Sequence, residues 1–93
     1  MAKSVDRIIK GFTAVMDMPS DVLMDMPRIR MMGNVELVVE NHKGLLEYTP
    51  KTIRLRTKTG ILIIHGRRLR ILFFVKDELK LDGHIVSVAF SEH

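Results

Sequence analysis

The chain has 93 residues, 46% of them hydrophobic and 28% charged, with a formal net charge of +4 and no cysteine. This is the composition of one globular domain, near the lower size at which a core suffices, and it excludes a disordered chain. It also excludes disulfides, thiolate metal sites and thiol nucleophiles, and no apolar run approaches the roughly 20 residues of a spanning helix.

In chain order, the start "MAKSVDRIIKGF" has no long apolar core and no small-residue cleavage site, so a cytoplasmic protein is expected. Over 4–16 the apolar residues Val5, Ile8, Ile9, Phe12, Val15 and Met16 fall at helical spacing, opposite Asp6, Arg7 and Lys10. This predicts an amphipathic helix that Ser4 caps, at a cost of about 1 kcal/mol for Gly11 within it. Pro19 and Pro27 bracket a connector in which Ser20 caps a single turn. All seven methionines lie at or before Met32, so 1–32 reads as a Met-rich helical segment and 33–93 as a β unit.

After Gly33 the period changes to two. Val35, Leu37 and Val39 alternate with Glu36 and Glu40, as in a half-buried strand, and 41–44 reads as a turn. A pattern then repeats at spacings of 16 and 17: Leu46-x-Tyr48-x-Pro50-x-x-Ile53-x-Leu55, Leu62-x-Ile64-x-Gly66-x-x-Leu69-x-Ile71, and Leu79-x-Leu81-x-Gly83-x-x-Val86-x-Val88. His65-Gly66 and Asp82-Gly83 read as hairpin turns, with further turns at 58–60 and 76–78. The fold class is mainly β: an N-terminal helix, then about seven short strands in an antiparallel, sandwich-like meander. The alternative is a short β-roll of 16–17 residue units.

The stretch "GILIIHGRRLRILFF" (60–74) mixes apolar residues with three arginines. Alternation sorts them: Leu62, Ile64, Leu69, Ile71 and Phe73 go to the core, and Arg68 and Arg70 go outward with Ile63. Arg54 and Arg56 do the same beside Ile53 and Leu55. The strands are shorter than the 9–11 residues of a membrane barrel. Between Tyr48 and Val75 there are seven basic residues and no acidic one. Arg54, Arg56, Arg68 and Arg70 therefore form a candidate anion-binding face. Nucleic acid is the weaker ligand, because aromatics for base stacking are only 5% of the chain.

No catalytic or metal site emerges. The four histidines lack ligand spacing and sit in turns or at the terminus, the acidic pairs have no partner base or nucleophile, and there is no phosphate loop. No enzyme activity and no cofactor are expected.

The stretch "MPSDVLMDMPRIRMMGNVELVVENHKGLLEYTP" resembles the YqfC subgroup of the YabP/YqfC sporulation proteins of endospore-forming bacteria. The resemblance rests on P-x-D-V-x-x-D-x-P-[RK]-I at 19–29, Gly33-Asn34, and E-N-H-[KR]-G at 40–44. It implies a mother-cell protein of spore coat or envelope development, cytoplasmic or peripheral at the forespore membrane, with a membrane protein as partner. Asp21, Asp25, Arg28, Asn34, Asn41 and His42 match the motif and are candidate interaction residues. The expected function is a non-enzymatic assembly or adaptor factor, docking through the Met-rich segment or an unpaired sheet edge to that partner or to copies of itself. The alternative is an anion- or nucleic-acid-binding module that uses the basic face.

Overall fold

A computed structural model describes residues 24–91. The predicted helix over 4–16 and the turn capped by Ser20 lie outside the described residues. Within them the chain forms β1 (Arg28–Met32), β2 (Glu36–Glu40), β3 (Gly44–Tyr48), β4 (Thr52–Thr57), β5 (Gly60–Val75) and β6 (Glu78–Ser91). Every pairing is antiparallel, in the order β1-β2-β6-β5-β4-β3. The meander reading thus stands as β3-β4-β5-β6, and no parallel coil of a β-roll occurs among the described residues.

Two expectations are corrected. The described residues hold six strands rather than about seven, and β5 and β6 have 16 and 14 residues. His65-Gly66 and Asp82-Gly83 are not hairpin turns. Both lie inside long strands, where β-bulges shift the register at His65/Gly66, Arg67/Arg70 and Ile71/Phe73. The real turns are at Lys58-Thr59 and Lys76-Asp77, two of the positions expected. In the first, the buried Thr57 Oγ1 donates to the Gly60 carbonyl at 2.7 Å and accepts from the Thr59 N–H at 3.2 Å. A further strand, β1, lies in the stretch read as Met-rich connector, so the sheet begins before residue 33.

The long β5–β6 hairpin divides the sheet into two halves. β2 pairs with β6 only over 78–82, and β4 pairs with β5 only over 60–65. One half holds β1, β2, β6 78–82 and β5 70–75; the other holds β3, β4, β5 60–67 and β6 84–91. Leu37, Val39, Leu79 and Leu81 of the first half and Ile53, Leu55, Leu62 and Ile64 of the second are fully buried, in one cluster with Leu69 and Ile85. Strand side chains on one face are buried only if something covers that face, and here each half covers the other. Each such side chain contributes about 1.5–3 kcal/mol. Leu69 is 3% exposed while Arg68 and Arg70 are exposed, as the alternation requires. Phe73, assigned to the core from sequence, is 38% exposed. The bulge at Leu72 turns it over.

The halves can face each other because the hairpin bends between them. A Cβ on Gly66 would collide with the His84 carbonyl oxygen, and one on Gly83 would sit 2.6 Å from the Arg68 carbonyl oxygen. Gly83 also has φ +135°, a region that side chains disfavour. The bend removes four N–H groups from the ladder, and the two flanking turns supply their acceptors. Gly66 and Leu69 donate to the Lys51 and Pro50 carbonyls at 3.0 and 2.8 Å, and Gly83 and Ile85 to the Val35 and Asn34 carbonyls at 3.1 and 2.8 Å.

Gly83→Ala combines strain with overlap and is expected to destabilise the fold by about 2–4 kcal/mol. Gly33→Ala is expected to cost only about 1 kcal/mol, because Gly33 also has positive φ but nothing within 4 Å of the added atom. Urea unfolding of the two variants checks the difference.

Candidate functional site

The candidate residues fall into three groups. The first is the crossing from one half-sheet to the other. β2 and β3 do not pair; Asn41, His42 and Lys43 carry the chain between the halves. The Asn41 N–H donates to the Asp77 carbonyl at 2.6 Å and the Lys43 N–H to the Arg56 carbonyl at 2.7 Å, one bond to each half. Asn41 takes φ +66°, which asparagine tolerates, and its Nδ2 donates to the Met26 carbonyl at 2.9 Å. His42 is buried and stacks on Phe74, with ring centroids 5.0 Å apart. Its Nδ1 accepts from the Gly44 N–H and its Nε2 bonds the Val75 carbonyl, both at 3.2 Å, which uses the Nε2–H tautomer. The sequence reading placed His42 in a turn, without its burial. It belongs to the packing of the hinge.

Glu40, which opens this motif, accepts from Arg30 Nη2 at 3.2 Å and lies 3.7 Å from Arg28 Nε, both of β1. Asn34 is exposed in the β1–β2 turn, and its carbonyl is one of the acceptors at the bend. Asp25 is exposed with φ +65°, 3.9 Å from Lys43 Nζ. Asp21 lies outside the described residues. The residues that carry the family resemblance are thus spread over β1, two connections and the bend, rather than gathered in one surface cluster.

The second group is the basic face, and it is partly neutralised. Arg54 Nε lies 2.7 Å from Glu47 Oε1. Arg70 holds Asp82 with two bonds, at 2.7 and 3.1 Å. Lys80 lies 2.6 Å from Glu36. These are cross-strand neighbours brought together by the register, which is why the sequence between Tyr48 and Val75 reads as more basic than the folded surface is. Arg56 and Arg68 have no carboxylate within 4 Å among the described residues.

The third group was not singled out from sequence. Leu72, Phe73, Phe74 and Val75 are all exposed at the end of the β5–β6 hairpin, and Val86 and Phe90 are 62% and 47% exposed along β6. Their signal was there, as an apolar run next to a turn, but alternation assigned Phe73 inward. No group of three or more His, Asp or Glu side chains is placed to hold a metal ion among the described residues, and no helix there is long and apolar enough to cross a membrane.

A family model described as the YabP family matches residues 25–93, the whole of the described β unit. The chain belongs to the YabP family. It is 36% identical over 92 residues to the uncharacterized protein YqfC of Bacillus subtilis (strain 168), an alignment that spans 99% of both chains. In this YabP-family chain the hinge motif at 40–44 therefore has a physical reading. It is the point where one sheet changes sides.

The bonds from Arg70 hold the Asp82 carboxyl below its usual range, with the charges of Arg70 and Lys80 adding to the effect and burial opposing it. The same bond and charge raise Arg70 above its usual value. The pair's contribution is therefore complete above the unfolded carboxyl pKa of about 3.9 and is lost as pH falls through the lower folded value. A carboxyl NMR titration is expected to place Asp82 below that reference, and Arg70→Gln to move it back up. His42→Ala is expected to lower unfolding free energy by about 2–4 kcal/mol, since it leaves two polar groups unpartnered and opens a cavity. Chemical denaturation measures that loss.

Proposed function

We propose that this protein is a non-enzymatic sporulation factor of spore coat or envelope development. It acts as an assembly or adaptor protein that docks to a membrane protein partner from the mother-cell side of the forespore membrane. Membership of the YabP family, whose resemblance implies sporulation, supports the process. The role rests on one feature of the fold, the outer edge of β6.

Three of the sheet's outer edges are guarded in ways that discourage pairing. β1 follows Pro27 and carries Arg28 and Arg30. β3 has five residues and a bulge at Leu46. The free side of β5 70–75 is closed at Ile71, whose N–H donates to Tyr48 Oη at 3.1 Å, and at the Val75 carbonyl by His42. β6 differs. Beyond Ile85, residues 86–90 (Val-Ser-Val-Ala-Phe) have no strand on their outer side among the described residues, no charge and no proline. Such an edge is a template for strand addition, in which main-chain bonds give affinity and alternate side chains give specificity. The exposed apolar hairpin end at 72–75 offers a second contact for the same partner.

The test is capture from sporulating cells with the intact tagged chain. A membrane protein is expected to co-purify, and Val86→Lys, at an already exposed position, to reduce its recovery at least about tenfold with the fold unchanged by circular dichroism. If Val86→Lys combined with Phe73→Glu recovers as much as the parent chain and supports normal spores, the docking reading is wrong.

A further inference from the structure

We propose that the outside of the β5–β6 bend is a phosphate-binding site formed by Arg67, Arg68 and His84. The three side chains line one open depression of about 380 Å³. Arg67 and His84 are direct cross-strand partners. Like Lys51, Arg56 and Lys76, none of these three has a carboxylate within 4 Å among the described residues, but here two guanidiniums and an imidazole line one depression. The fold has therefore gathered two guanidiniums and an imidazole at one spot without a counter-charge.

The backbone supplies an independent observation. Arg68 has φ +54°, a left-handed conformation that costs a long side chain stability and that glycine or asparagine would take more easily. Strain of this kind marks positions where the side chain is wanted for something besides folding. The bend is also tied in place: Gly66, Leu69, Gly83 and Ile85 each bond a flanking turn, so the two arginines are carried on a hydrogen-bonded frame. Paired guanidinium forks suit the tetrahedral oxygens of a phosphate group, and each bond to it is charge-assisted. No Phe, Tyr or Trp side chain lines the depression, and the single imidazole of His84 is a poor platform for successive bases, so an isolated phosphate group suits it better than a nucleic acid. The phosphate is carried by a lipid headgroup or by a small phosphorylated solute. The inference stands on different residues from the β6 edge and holds or fails without the adaptor reading.

The experiment is an NMR titration of the intact chain at low ionic strength with inorganic phosphate, against chloride at matched ionic strength. It is paired with co-sedimentation on phosphatidylglycerol and phosphatidylcholine vesicles. Saturable shifts of the Arg67 and Arg68 side-chain N–H signals are expected. Arg67→Gln and Arg68→Gly should each weaken phosphate about tenfold, the usual worth of one charged hydrogen bond, and Arg56→Gln less than about twofold. Arg68→Gly should also raise Tm, because it relieves the positive φ. Sedimentation with phosphatidylglycerol that Arg68→Gly abolishes identifies the lipid source; phosphate shifts without sedimentation identify the solute. Absence of both saturable phosphate shifts and phosphatidylglycerol sedimentation overturns the site, as does an Arg68→Gly chain that binds like the parent or loses stability along with affinity. An oligonucleotide that shifts the same signals more strongly than phosphate also overturns it.

Discussion

Where β5 and β6 bend, the two backbones approach so closely that neither Gly66 nor Gly83 has room for a Cβ. Bulges on both strands take four N–H groups out of the ladder there, and a buried N–H without an acceptor costs about as much as a lost hydrogen bond. All four find carbonyls, two from the β3–β4 turn and two from the β1–β2 turn. Those turns are thereby held against the bend, and the strands they join are carried into place over each other. The ten-residue core follows from this closure. Without the bend, β5 and β6 would form a long flat ribbon with one greasy face in water.

The closure also determines what the surface can do. Because β2 leads to β3 on the opposite half, the connection at 41–43 must cross the open side of the sandwich, and His42 fills that opening against Phe74. On the outer faces, the register sets acidic residues of one strand beside cations of the next, and such surface pairs contribute little to stability. Two features of the surface sit beside the bend: Arg67 and Arg68, with no carboxylate within 4 Å among the described residues, and the uncharged stretch of β6 just beyond it. Both lie within a few residues of the constraint that shapes the fold.

The alternation along β2, β4 and the first part of β5 was legible in the sequence. Leu37, Val39, Ile53, Leu55, Leu62 and Ile64 point inward as period two requires. The third repeat was read correctly at Leu79 and Leu81 but not at Val86, which is exposed while Ile85 is buried. The cause is the same as for Phe73: a bulge inserts one residue, and every side chain beyond it changes face. His65-Gly66 and Asp82-Gly83 look like turns because glycine serves both uses. Within a strand it marks close approach of another backbone, and only the partner strand reveals which use applies. The neutralisation of Arg54 and Arg70 was hidden for a similar reason, since Glu47 and Asp82 become neighbours only once register is known.

Three of the residues that carry the family resemblance lie at the closure itself. Asn34, Asn41 and His42 are where turns meet the bend and where the sheet changes sides, so their chemistry serves the closure. The closure itself is most directly tested by methyl–methyl nuclear Overhauser effects in the intact chain. Leu37 and Val39 of β2 should show cross-peaks to Ile53 and Leu55 of β4, strands that share no hydrogen bond yet face each other across one core. If those methyls show cross-peaks only to their own ladder neighbours, the sheet is not folded onto itself and the account is wrong.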